Sequence, residues 1–288
     1  MTKPYTKQEL IVITVARQIQ DGDNCLLGIG LPTVAGAIAK HSHAPGARLM
    51  MESGIVDFDP LVPPMHIADA CCSEGYSYAI DLFGMFTAIA HCGHLDKAVL
   101  GVAQIDRYGN LNSSYRTSST GEQQRITGSG GAPEFISYAK ETILTLKSGE
   151  FVYELPYLSS PGYFGGGRER EESGHYPPGS GPSILITPEA IFRFDTDTKE
   201  MYLSALAPSV TAEKVMSRIP WDLKVADKLE FFPVPTDAEL TFLRRFSPRS
   251  CFSNSVADEL TLNGTIEKMA KRQAFLERCR AAAVEASS

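Results

Sequence analysis

The sequence predicts an α/β fold: an open, mostly parallel sheet with flanking helices, and additional short antiparallel strands toward the C-terminus. Three observations carry this expectation. Helical stretches alternate with short apolar runs through the first half of the chain, the rhythm of parallel strands joined by crossover helices. Those apolar runs are continuous rather than alternating, as strands covered on both faces require. Several of them also break on glycine, where a parallel sheet turns toward its ligand side.

Residues 6–21, TKQELIVITVARQIQD, open with Thr6 and place Glu9 three residues on, a capping-box pattern. Apolar residues at 10, 11, 12, 13, 15, 16 and 19 suit a helix buried over a wide face. NCLLGIGLP (24–32) reads as a short buried strand ending at Gly28, Gly30 and Pro32. TVAGAIAKHS predicts a helix, and ARLMMES the next strand, entered from the turn HAPG. Residues 55–78, rich in Pro, Cys and Ser, predict an irregular excursion.

DLFGMFTAIAHCG predicts a helix and KAVLGVAQI a strand running into the turn DRYGN. FISYAK and TILTLK repeat the helix–strand pair. Residues 159–182 form a long Gly/Pro/charge loop, and loops of that length in compact domains are usually functional or disordered. SILIT, AIFRFD and MYLSALA follow as shorter strands with antiparallel pairing, and TDAELTFLRRF as a helix. The helix-prone tail from Val256 is interrupted by Asn-Gly, so residues 1–254 are expected to form one α/β domain and 255–288 a helical extension.

Composition narrows the function classes. The 288 residues are 43% hydrophobic and carry a net charge of −7, which argues against a nucleic-acid or anionic-membrane partner. No apolar run reaches the length of a membrane span, and the polar start MTKPYTKQE does not read as a signal peptide. Six cysteines without a paired framework point to a reducing, cytoplasmic setting. HCGH (91–94), with Cys71 and Cys72 upstream, invites a metal reading. Its spacing is poor for one tetrahedral ion, and buried cysteines plus a helix-ending histidine describe it better, so no metal is expected. The charge run Arg168–Glu172 reads as a solvated loop.

Four glycine-rich segments fall at predicted strand ends: GIGLP (28–32), ESG (52–54), GVAQIDRYGNLNSS (101–114) and GSGGA (128–132). Glycines there let a ligand approach the backbone and free N–H groups to donate. Neither GIGLP nor GSGGA is a Walker loop or a complete dinucleotide fingerprint. One of the four carries a lone acid, Glu52, directly after Leu49-Met50-Met51. Read alone, Glu52 is either the first polar residue after a strand or a functional carboxylate on the ligand side.

The ordered series GIGLP, ESG, GVAQIDRYGNLNSS, TGSGGA and SPGYFGGGRER resembles the B-type (β) subunit of glutaconate CoA-transferase, among the family I CoA-transferases, over about residues 5–250. The resemblance implies a CoA-transferase/NagB-RpiA-like fold. It also implies that Glu52 attacks an acyl-CoA to form an acyl-glutamyl anhydride and then a glutamyl-CoA thioester. A carboxylate suits this role because its acyl adducts are as reactive as the substrates, whereas serine would trap a stable ester. Backbone N–H groups at Gly130, Gly131 and Ala132 are expected to stabilise the oxyanion. Gly28 and Gly30 would let the strand end lie against the carboxylate or the CoA thiol arm, and Ser53 with Gly54 would clear space for the thioester. Ser53, Gln104 and Asn110 are weaker candidates for positioning substrate, with turn stabilisation an equal reading for Gln104 and Asn110. Coenzyme A is then a substrate, with no permanently bound cofactor. The expected partner is a homologous A-type (α) subunit, in a heterotetramer or larger, with the active site at their interface. The expected acid is a glutaconate-like dicarboxylate or a related acid. Relatives of the same fold act as CoA-thioester lyases or hydrolases, and related folds serve as ligand sensors; the retained Glu-Ser-Gly favours transfer.

Overall fold

The computed structural model describes residues 5–117, 121–247 and 274. Its centre is a ten-stranded sheet made of β1 (Asn24–Leu27), β2 (Arg48–Met50), β3 (Ile55–Val56), β4 (Tyr78–Ala79), β5 (Lys97–Gly101), β6 (Glu141–Thr145), β7 (Pro182–Ile186), β8 (Ala190–Phe194), β9 (Met201–Leu206) and β10 (Lys224–Phe231). The order is β10-β9-β8-β7-β6-β5-β1-β2-β3-β4. Five neighbours, β7-β6-β5-β1-β2, run parallel, and antiparallel pairs flank them on both sides. Leu26 of β1 registers with Met50 on one side and Ala98 on the other. Each of these three side chains is at most 3% exposed, so the centre of the sheet is covered on both faces.

The helices follow from the sequence. Helix α1 (Lys7–Ala16) begins at Thr6, and the expected capping box with Glu9 is present. Leu10 to Ala16 are all buried, and the helix packs on α2 (Leu31–Lys40) and on α4 (Asp237–Phe246), itself capped by Thr236 and Glu239. Helix α3 (Ala132–Tyr138) packs on β5 and β6 and on the helical segment Met85–Ala90. Helix α2 carries the chain from β1 to β2, and α3 carries it from β5 to β6 in the opposite direction along the sheet. Right-handed crossovers therefore put the two helices on opposite faces. The order reverses between β1 and β5, and ligands in such sheets bind beyond the carboxyl ends of strands at that reversal.

Several expectations are corrected by the structure. The strand expected over 97–105 stops at Gly101; Gln104–Ile105 joins Leu111–Asn112 and Glu150–Phe151 in a separate three-stranded sheet. Residues 85–90 form a π-helical segment rather than an α-helix. Strand β10 is absent from the sequence expectation, because KVADKLEF is polar; it is an edge strand, largely exposed, where polar side chains are the norm. The tail from Val256 and the 254/255 boundary lie outside the described residues. No described helix is long and apolar enough to cross a membrane.

Candidate active site at the end of the second strand

Strand β2 ends in a tight hairpin. The Met51 N–H donates to the Ile55 carbonyl and the Gly54 N–H to the Met51 carbonyl, both at 3.0 Å. Glu52 and Ser53 therefore occupy the two middle positions of the turn. Gly54 has φ +103°, and a Cβ there would lie 1.7 Å from the Ile80 carbonyl oxygen. The Ile80 N–H donates back to the Gly54 carbonyl at 2.8 Å. The sequence suggests that this glycine clears room for substrate; in the structure it makes room for the adjacent backbone and fixes the turn. The Ser53 Oγ is buried without a hydrogen-bond partner among the described residues.

Glu52 is half-buried, and its Oε2 accepts a 3.0 Å hydrogen bond from the Gly131 N–H. Gly131 immediately precedes α3, so the carboxylate sits at the positive end of that helix. A Cβ on Gly131 would lie 2.5 Å from Glu52 Oε2, 2.5 Å from the Phe135 ring and 3.0 Å from Phe86. The Phe86 and Phe135 rings stack with centroids 5.2 Å apart and form an apolar wall beside the acid. The loop that carries Gly131 is anchored by Gly128 N–H to the Ser113 carbonyl (2.7 Å) and Ile126 N–H to the Ser114 carbonyl (3.0 Å).

The three backbone donors expected to act together here have separate tasks. The Gly131 N–H holds the carboxylate, and the Ala132 N–H closes a turn onto the Ser129 carbonyl at 3.0 Å. The Gly130 N–H has no partner among the described residues; a Cβ on Gly130 would stand 3.6 Å from Glu52 Oε1. Of the three N–H groups it is the one not already engaged among the described residues.

Gly28 and Gly30 lie at the carboxyl end of β1. The Gly28 N–H donates to the Val99 carbonyl at 3.0 Å, prolonging the β1–β5 pairing into the reversal point. Gly30, at φ +90°, starts α2. No hydrogen bond joins either glycine to the Glu52 turn among the described residues.

Gln104 and Asn110 have structural tasks. The Gln104 carboxamide accepts from Asn112 Nδ2 (2.7 Å) and donates to Glu150 (3.0 Å). Asn110 accepts from the Gly162 and Phe164 N–H groups and donates to Asp106 and the Phe164 carbonyl, at 2.7–3.1 Å. Asn110 thus uses all four of its amide positions, three of them to pin the 160s loop and one on Asp106. The half-buried Asp106 carboxyl is pushed above its usual range by desolvation.

That loop is ordered, and its charge run is only partly solvated. Glu169, Glu171 and Glu172 are exposed, but Arg170 is 3% exposed. Its guanidinium donates to the carbonyls of Pro161, Gly162, Ile136 and Ser137 and to Ser180 Oγ, at 2.7–3.2 Å. It also stands 4.2 Å from the Tyr176 ring centroid. Ile136 and Ser137 lie in the last turn of α3, so Arg170 caps the helix whose first turn faces Glu52. Burial pulls the Arg170 pKa down. In HCGH, His91 pairs with Glu134 at 2.7 Å and stacks on Tyr138, while Cys71 and Cys72 are buried.

Residues 9–218 match the family model described as coenzyme A transferase. The chain is 32% identical over 248 residues to the B-type subunit of 3-oxoadipate CoA-transferase from Pseudomonas knackmussii, covering 85% of this chain and 95% of that one. It is 32% identical over 245 residues to the B-type subunit of glutaconate CoA-transferase from Acidaminococcus fermentans, covering 83% and 91%. The crystal structure of glutaconate coenzyme A-transferase from that organism superposes with a TM-score of 0.77 at 30% identity, covering 85% of this chain and 96% of the other. The chain belongs to the coenzyme A transferase family, whose members are enzymes that transfer coenzyme A, and within it to the B-type, or β, subunits.

Proposed function

We propose that the chain is the catalytic β subunit of a CoA-transferase that moves CoA from an acyl-CoA to a dicarboxylic acid through a thioester on Glu52. The observation that carries this reading is the Glu52 carboxylate, half-buried on the ligand side of the sheet and aimed by the Gly131 N–H. One carboxylate oxygen attacks the thioester carbonyl, and CoA thiolate leaves to give an acyl-glutamyl anhydride. The thiolate then attacks the glutamyl carbonyl, expelling the donor acid as carboxylate and leaving glutamyl-CoA. The acceptor carboxylate displaces CoA thiolate from that thioester, and the thiolate attacks the acceptor's carbonyl, regenerating Glu52. No net proton is gained or lost, which suits a site holding a carboxylate, N–H donors and an aromatic wall. The Gly130 N–H receives the charge on the tetrahedral oxygen, and preorganised donors of this kind are worth about 10²–10³ in rate.

Two relatives named for dicarboxylic acids, 3-oxoadipate and glutaconate, support a dicarboxylate as acceptor or donor. Their designation as B-type subunits supports an A-type (α) partner that completes the pocket, in a heterotetramer or larger. The free cysteines among the described residues suit a cytoplasmic enzyme. We assign residues 1–254 to the catalytic domain.

The co-expressed pair, given a panel of acyl-CoA donors and free acids, is expected to exchange CoA fastest between dicarboxylic acids. Release of CO₂ or free acid without an acceptor would overturn transfer in favour of a lyase or hydrolase. A second expected outcome tests the donor. Gly131→Ala drives a methyl group into Glu52 Oε2 and Phe135 and should lower the exchange rate by about 100-fold, the scale of an ångström-level misplacement.

A further inference from the structure

A substrate with two carboxylates meets a like charge at this site, because the nucleophile is itself a carboxylate. The acid's spectator carboxylate is repelled unless a cation holds it. The Phe86–Phe135 wall offers it nothing polar. From Ser113 to Ala139, the stretch that carries the glycine loop, the only Lys or Arg residues are Arg116 and Arg125. Arg116 pairs with Glu150. Arg125 pairs with no carboxylate among the described residues.

Arg125 is held in place by its neighbour across a hairpin. Strand Tyr115–Thr117 pairs with strand Gln123–Arg125, and Tyr115 stands directly opposite Arg125. Opposed residues of an antiparallel pair project from the same side. The guanidinium Cζ lies 5.5 Å from the Tyr115 ring centroid, and Nη1 donates to the Tyr115 hydroxyl at 3.1 Å. Tyr115 is in turn met edge-on by Tyr157, with centroids 5.4 Å apart. These contacts fix the plane of the guanidinium, and they leave its Nε and Nη2 without an acceptor among the described residues. Arg125 is also exposed, so an incoming acid can reach it.

The open edge of this guanidinium lies over the glycine loop. A Cβ on Gly128 would stand 3.6 Å from Arg125 Nη2. Three residues further on, the Gly131 N–H holds Glu52. Three residues span at most about 11 Å. A five- or six-carbon diacid, with one carboxyl at attack distance from Glu52 and the other hydrogen-bonded to the guanidinium, needs a span of about 12 Å. The loop and such a diacid are of matching length.

We infer that Arg125 is a specificity-determining residue: its Nε and Nη2 receive the spectator carboxylate of the dicarboxylic acid while the reacting carboxyl lies at Glu52. The inference rests on the dicarboxylate reading above. The Nε–Nη2 edge of an arginine presents two parallel donors, which match the two oxygens of one carboxylate. A monocarboxylic acid of the same length leaves that edge empty and gains nothing from it.

The test is the initial rate of CoA exchange by the full chain, co-purified with its A-type partner, from acetyl-CoA to glutarate and to pentanoate. These two acids have the same number of carbons and differ in one carboxylate. Wild type should prefer glutarate. Arg125→Met should lower the glutarate-to-pentanoate ratio of kcat/KM by about 10–100-fold, the scale of a lost charge-assisted hydrogen bond, chiefly by raising KM for glutarate. Arg125→Lys should keep part of the preference, as a point charge in place of the fork. Arg125→Glu should turn the preference toward pentanoate. The side chain is exposed, so melting curves of all three variants should stay close to wild type. A wild-type preference for glutarate that Arg125→Met leaves intact overturns this inference alone. Equal losses on both acids, or a matching rise in KM for acetyl-CoA, would also overturn it and assign Arg125 to loop structure or to CoA. No preference for glutarate in wild type removes the dicarboxylate reading itself, and this inference with it.

Discussion

Glu52→Gln abolishes acyl exchange, lowering kcat by at least about 10⁴-fold, the scale seen when an enzyme loses its covalent nucleophile. The substitution is nearly isosteric, and the amide oxygen can still accept from the Gly131 N–H. Stability and binding of CoA should therefore stay close to wild type. Only the nucleophilic oxygen is lost, so the defect lies in kcat rather than in KM. Glu52→Asp keeps the charge but withdraws it by one methylene from Gly131 and from the Phe86–Phe135 wall, and should lose about 10²-fold or more. Initial rates of CoA exchange, together with melting curves, check both variants. Full activity in Glu52→Gln would remove the carboxylate from the mechanism.

The second large effect is structural. Arg170→Met removes a guanidinium that satisfies four carbonyls and a hydroxyl in a buried setting. The four carbonyls and the hydroxyl are left in the interior with no donor in place of the guanidinium. A buried acceptor left without its donor costs about 1–3 kcal/mol, so the loss of the whole set is expected to cost about 3–5 kcal/mol. For a chain of this size that corresponds to a fall in Tm of roughly 10 °C. Arg170→Lys should not restore the loss, because one ammonium cannot reach Pro161 and Gly162 on one side and Ile136 and Ser137 on the other. The effect also reaches the site. Arg170 caps the last turn of α3, and the residue before its first turn aims Glu52. Exchange activity should fall together with Tm, measured by thermal denaturation and by rate below the transition. A variant as stable as wild type would show that the loop is held by other means.

Much of this arrangement is legible in the sequence, and what is not legible has physical reasons. Glu52 stands out because an apolar strand ends on it and glycine follows. The glycines at 130 and 131 stand out because they break the chain before a helix. The sequence cannot say that Gly131, not Gly130, holds the carboxylate, because that depends on how the loop before α3 meets the end of β2 in the fold. Phe86 is hidden because its partner Phe135 lies in another segment and the two stack only in the fold. Arg170 is hidden by its neighbours: three exposed glutamates around it give the composition of a solvated loop, while its own side chain turns inward. Strand β10 escapes notice because an edge strand has no apolar face to betray it. Gln104 and Asn110 sit in a glycine-rich loop that looks functional, and their amides hold that loop together.

The central claim is that Glu52 carries the acyl group and then CoA. The most direct test incubates the chain and its partner with acyl-CoA in the absence of acceptor, adds borohydride, and maps the peptides by mass spectrometry. A glutamyl-CoA thioester is reduced to a primary alcohol, so the peptide containing Glu52 should change mass in wild type and not in Glu52→Gln. Efficient exchange with an unmodified Glu52 peptide, or modification at another residue, would contradict the account.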